Sequence, residues 1–177
     1  MNIKLVMPEM KHKEQVLNFK KEFIENEEYS FHGCGGLEDI ETYEEWIDFE
    51  TRLKNKYKET YVPSNLYLAV REEDEKVVGM IDSRLSLSDF LYNFGGHIGY
   101  SVIPSERRKG IAKEMLSKLL VICKEKGFEK VLLTCDKENI GSQKTIKYNG
   151  GILENEVEDT VGLSKSGIIQ RYWINLK

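Results

Sequence analysis

Apolar positions change period several times along the 177-residue chain. Residues 2–7 alternate polar and apolar side chains up to Pro8, which predicts a first strand. Val16, Phe19, Phe23 and Ile24 recur at helical spacing, and after a glycine-bearing loop at 32–36 so do Tyr43, Trp46, Ile47, Phe49 and Leu53. From residue 65 the period falls to two: 66–70 is a strand, 72–76 a charged turn and 77–85 an antiparallel return. An irregular stretch at 86–93 precedes a strand at 99–103, which Pro104 ends. Ile111, Met115, Leu116, Leu119, Leu120 and Cys123 then share one face of a long amphipathic helix, with Gly127 in the C-cap position. A continuous apolar strand at 131–135, a short helix at about 140–149 and two closing strands near 152–157 and 168–176 complete the order.

This order predicts a mixed sheet with helices on its faces, and the strands at 99–103 and 131–135, joined by a crossover helix, are most simply a parallel pair. The length fits one domain over residues 1–177, large enough to fill a single layered core.

Charge changes this picture little. The 26 Lys and Arg nearly balance 30 Asp and Glu, for a net −4, so nothing global calls for a nucleic-acid backbone or an anionic membrane as partner. The first fifteen residues carry lysines but no apolar signal core, and apolar runs such as 119–123 are too short to span a bilayer, so the expected location is cytoplasmic. Cys34, Cys123 and Cys135 are odd in number and widely spaced, which fits neither a disulfide framework nor a metal site; they read as free thiols.

The candidate chemistry lies between the strand at 99–103 and the long helix. There Arg107, Arg108 and Lys109 precede Gly110, Ile111 and Ala112. A helix N-terminus offers unpaired amides and the positive end of its dipole; Gly110 and Ala112 leave room for a pyrophosphate, and the three cations add charge. A capped helix start with a solvated basic turn is the simpler reading of the same letters. Neither a Walker-type nor a dinucleotide-type glycine loop is present.

The run Arg107-x-x-Gly110-x-Ala112, after a strand ending Val102-Ile103-Pro104 and before an amphipathic helix, resembles the Q/R-x-x-G-x-G/A motif of the GNAT superfamily of acyl-CoA-dependent N-acyltransferases. The resemblance continues through Leu132-Leu133-Thr134-Cys135-Asp136, Asn139, Ser142 and Gly150-Gly151, covering about 64–176 by motif and the first 60 residues by pattern. It implies an α/β (α+β) fold whose mixed, mostly antiparallel central sheet contains a parallel splayed strand pair, with helices on both faces. Acceptor-side helices would occupy about 10–60 and the acyl-CoA-binding core about 64–176. By resemblance, the backbone at Val102 and Ile103 pairs with the pantetheine arm, the amides from Arg108 to Ala112 hold the pyrophosphate, and Asn139 and Ser142 line the cofactor, acetyl-CoA. The implied acceptor is a small-molecule or peptide amine, and a homodimer stays open.

An aliphatic amine has a pKa about 3.4 units above neutral pH, so exposing its lone pair costs roughly 4.6 kcal/mol unless something removes the proton. His97, on the approach to the strand at 99–103, is the expected base. The tyrosine that the family often places four residues after Ser142 as thiolate acid is here Ile146; Tyr148 lies about 200° further round the helix and does not replace it. Residues 22–51 hold many carboxylates and no Lys or Arg, which suggests a negative field near a cationic acceptor, or simply a solvated helix face. A non-catalytic acyl-CoA binding or sensing module, or an unrelated phosphate-binding domain, are the alternatives to an acetyltransferase.

Overall fold

The computed structural model describes residues 2–55 and 62–177, the side chains of 51–55 excepted. Residues 56–60 of the expected acceptor-side region, and the side chain of Leu53, therefore lie outside the described residues. The strands are β1 (Ile3–Val6), β2 (Ser64–Arg71), β3 (Val77–Arg84), β4 (Ile98–Val102), β5 (Lys130–Asp136), β6 (Ile152–Glu158) and β7 (Ile168–Asn175). The helices are α1 (Lys13–Glu25), α2 (Tyr43–Asn55), α3 (Ile111–Glu125) and α4 (Ile140–Tyr148).

The strands form two antiparallel sheets, ordered β1-β2-β3-β4 and β5-β7-β6. No ladder joins β4 to β5, so the expected parallel pair is not confirmed. Their backbones are linked at the start of β4, where the His97 amide donates to the Leu132 carbonyl at 2.7 Å.

Two cores flank the first sheet, and alternation along β2 sorts side chains between them. Leu66, Leu68 and Val70 join Phe19, Phe23, Tyr43 and Trp46 of α1 and α2, whereas Tyr67 and Ala69 join α3. Covered on both faces, β2 is buried from Ser64 to Val70. Every residue of the apolar face expected on α3 is buried in the second of these cores. Gly127 follows α3 at φ 88°, and Phe128 closes the helix by donating to the Cys123 carbonyl at 3.0 Å, the expected C-cap. Ile24, assigned to the buried face of α1, is instead 44% exposed.

Residues 86–93, expected to be irregular, lead into a π-helical turn at Leu91–Gly95. This turn bridges the sheets. The Arg84 guanidinium donates to the Gly95 and Gly96 carbonyls, while Thr134 and Arg171 donate to the Phe94 and Tyr92 carbonyls. Among the described residues no helix is long and apolar enough to cross a membrane.

Candidate active site

Where the two sheets part, a cleft of about 830 Å³ runs from the N-terminus of α3 to the π-helical turn. One end is built by the turn between β4 and α3. Pro104 ends the strand in a single 3-10 turn, and Arg108 and Gly110 take left-handed φ values of 63° and 84°. Gly110 is the N-cap of α3, with no side chain capping the helix, and a Cβ placed there would meet nothing within 4 Å. The helix thus opens into the cleft with its amides uncapped and room in front of them. These are the features a pyrophosphate needs, and the residues present fit acetyl-CoA.

Of the predicted cofactor residues, Val102, Arg107, Arg108, Gly110, Ile111, Ala112, Asn139 and Ser142 line this one cleft. Ile103 does not: its side chain is buried among α1 and α2, and its amide is spent on the Val78 carbonyl. The Lys109 ammonium turns to Glu106 at 2.8 Å, leaving only its amide for the cradle. Behind the turn, Glu106 also receives Arg71 and Lys76, each at 2.9 Å. Lys109 first, then Lys76 and Arg71, hold its carboxyl at about 2 against the ordinary 4.5. Arg107 grips Glu28 through both terminal nitrogens at 2.6 and 2.7 Å, and its Nε donates to the Val102 carbonyl at 3.1 Å. That pairing lowers the Glu28 pKa.

On the opposite wall, Asn139 caps α4 by accepting from the Ser142 amide at 3.0 Å. The Tyr100 hydroxyl of β4 meets Ser142 Oγ at 2.8 Å across the gap, and burial pushes its phenol well above the usual range. Ile146 is fully buried and Tyr148 is exposed beneath Lys113, so neither offers a hydroxyl to the cleft. Tyr100 escaped the sequence reading, since nothing local distinguishes it from any other strand tyrosine. Cys135, beside it in the wall, is free and buried, its thiol pushed up to about 11 chiefly by burial.

The expected base is out of place. His97 is not part of the cleft lining. Its Nδ1 accepts from the Leu132 amide at 2.9 Å, and its ring lies edge-on to Phe128 and tilted against Trp173. Burial and the Arg84 charge push the imidazole down to about 4. The residue closes the seam between the sheets, a role invisible without residue 132 beside it.

The acidic segment 22–51 also behaves differently from expectation. Glu28 alone of its described carboxylates lines the cleft, and Arg107 neutralises it. Glu22 accepts from the Ser105 amide, Glu38 from the Phe31 amide, and Glu45 pairs with Thr42 at the start of α2. The far end of the cleft carries the apolar side chains of Phe90, Leu91, Phe94 and Ile98 together with Arg84, and His32 and Ser30 also line the cleft.

The two-sheet α/β fold thus opens a cleft at the uncapped start of α3. The model of the acetyltransferase (GNAT) family matches residues 23–150, more than half of the chain. The chain belongs to this family and is an acetyltransferase that works with acetyl-CoA. No curated protein sequence matches it. Among solved structures it is similar to an N-acetyltransferase from Staphylococcus aureus Mu50, at 21% identity, TM-score 0.66 and full coverage of both chains. It is also similar to an acetyl transferase from Salmonella typhimurium that modifies the N-terminal serine of ribosomal protein L7/L12, at 14% identity and TM-score 0.71, covering 100% of this chain and 96% of that one. A third is the microcin C7 self-immunity acetyltransferase MccE in complex with acetyl-CoA and AMP, at 17% identity and TM-score 0.66, covering 98% and 92%.

Proposed function

We propose that the protein transfers the acetyl group of acetyl-CoA to an amine whose apolar portion lies against Phe90, Leu91 and Phe94. The uncapped start of α3, open to the cleft at Gly110, carries the reading. The amides of Arg108 to Ala112 hold the pyrophosphate, Val102 borders the pantetheine arm, and Asn139 and Ser142 face it from α4. Acetyl-CoA supplies a thioester: the N–C bond forms, the C–S bond breaks, and sulfur leaves with that bond's electron pair. The Tyr100 and Ser142 hydroxyls are the donors available to that sulfur from the wall.

The acceptor end favours an amine on an aromatic or aliphatic body over a polyamine, since Glu28 alone of the described carboxylates in segment 22–51 lines the cleft and Arg107 already pairs with it. Acetyl-CoA at about a hundred times its Kd should stabilise the fold by about 2.7 kcal/mol, read as a thermal shift that ATP does not give. Thiol release across an amine panel then tests the acceptor. Faster turnover of aromatic amines, insensitive to salt, supports the apolar wall, and preference for polyamines that fades with salt overturns it.

A further inference from the structure

We propose that His32 is the group that takes the proton from the acceptor amine, a role that rests on the acetyltransferase reading above. The loop bearing His32 is clamped to the middle of β4. A Cβ on Gly33 would collide with the Gly99 carbonyl, so only glycine permits the approach, and Gly33 holds φ 70°. Ser101 Oγ donates to the His32 carbonyl at 2.7 Å, fixing the residue against the strand that lines the cleft.

The three histidines of the chain divide cleanly. His12 and His97 each spend Nδ1 on a backbone amide, of Glu9 and Leu132 respectively. His32 opens on the cleft, and among the described residues neither of its ring nitrogens has a hydrogen-bond partner. It is the histidine with a lone pair to offer there.

Its surroundings keep that lone pair available. The residue stays exposed toward the cleft, and partial desolvation by the cleft walls lowers its pKa; Arg84 on β3 acts in the same direction, while Glu38 and Asp82 pull the other way without reversing it. The lowered pKa favours the neutral imidazole. A nitrogen that has begun to bond to the acetyl carbon is far more acidic than a free ammonium, so a weak base in reach suffices. The proton passes from that nitrogen to the imidazole, the former N–H pair becomes the nitrogen lone pair, and the thiolate carries off the C–S pair.

The test combines His32→Gln and His32→Ala with a titration of the free protein. Both variants should keep wild-type affinity for CoA by calorimetry, which shows an intact fold and cradle. Thiol release should fall about a hundredfold or more, the range of general base catalysis. The acid limb of the wild-type kcat/KM profile, expressed on the concentration of neutral amine, should lie below pH 6.5, coincide with the His32 pKa read by NMR without any ligand, and vanish in both variants. Variants with full turnover, or with the limb unmoved, overturn the assignment, as does an NMR pKa for His32 that departs from the limb. Wild-type protein that binds no CoA and releases no thiol instead removes the acetyltransferase reading, and the role of His32 with it.

Discussion

β4 meets the second sheet in opposite ways at its two ends. At its start, His97 and Leu132 exchange two hydrogen bonds at 2.7 and 2.9 Å, and Phe128 and Trp173 cover the ring. Toward its far end the strand keeps β3 but has no ladder to β5; the Tyr100 hydroxyl reaches Ser142 across the gap, and the uncapped opening of α3 faces the cleft. The closed end uses its polar groups for stability. The open end leaves them for a ligand, which is why one histidine near β4 serves the fold while another, brought in by a loop, faces the chemistry.

Substitutions at the two ends should therefore separate binding from stability. The largest effect belongs to Gly110→Glu, which puts a carboxylate where the diphosphate would sit and a side chain at φ 84°. CoA affinity measured by calorimetry should drop about a thousandfold, roughly 4 kcal/mol, with an unchanged circular dichroism spectrum. Unaltered affinity would show that the open end is not the cradle.

Next comes Glu106→Gln, behind the same turn. The carboxylate is 7% exposed and its pKa is depressed, so its contribution is complete above about pH 4.5 and is lost as pH falls toward 2. Allowing for the partly exposed lysines that pair with it, urea unfolding at pH 7 should show a loss of about 2 kcal/mol, shrinking with acid. A variant as stable as wild type at pH 7 would mean that the three cations do not need this anion.

At the closed end, His97→Ala should cost about 1–2 kcal/mol of stability through the orphaned Leu132 amide. Because the folded state depresses this imidazole to about 4, the wild type loses stability as pH falls from 6.5 to 4, and the variant should lack that slope. Its CoA affinity and the acid limb of its turnover should not move; a lost limb would return His97 to the role of base.

The smallest effect is expected from Glu28→Gln, which frees Arg107 from a half-exposed pair. CoA should bind a few-fold more tightly at low salt, within the ~1 kcal/mol that such pairs contribute. Weaker binding would show that Glu28 positions Arg107 for the ligand.

Much of the architecture was legible because it is written in local periodicity. The α3 face, the β2–β3 hairpin and the Gly127 cap each depend on residues close in sequence, and the cradle depends on one strand-to-helix turn. Other features depend on partners far along the chain. Whether His97 is a base or a clasp is decided at residue 132, and His32 reaches the cleft only because Gly33 fits against Gly99. The expected parallel pair is not confirmed for a related reason: strand order follows from a crossover helix, but ladder hydrogen bonds need strands that stay in register. Here they part after one backbone bond. The turn at Leu91–Gly95 carries no periodic signature; Ser88 Oγ accepts from the Leu91 amide at 3.3 Å, and Arg84, Thr134 and Arg171 hold the turn from both sheets.

The state of Cys135 bears on how the protein survives its own chemistry. Each turnover would free a thiol beside a wall that contains another thiol. With that cysteine held to about 11, only about one molecule in ten thousand carries the reactive sulfur anion at pH 7. Mixed disulfides with the spent carrier should therefore form slowly, and the protein should tolerate oxidising conditions that would cap a more acidic cysteine in the same place.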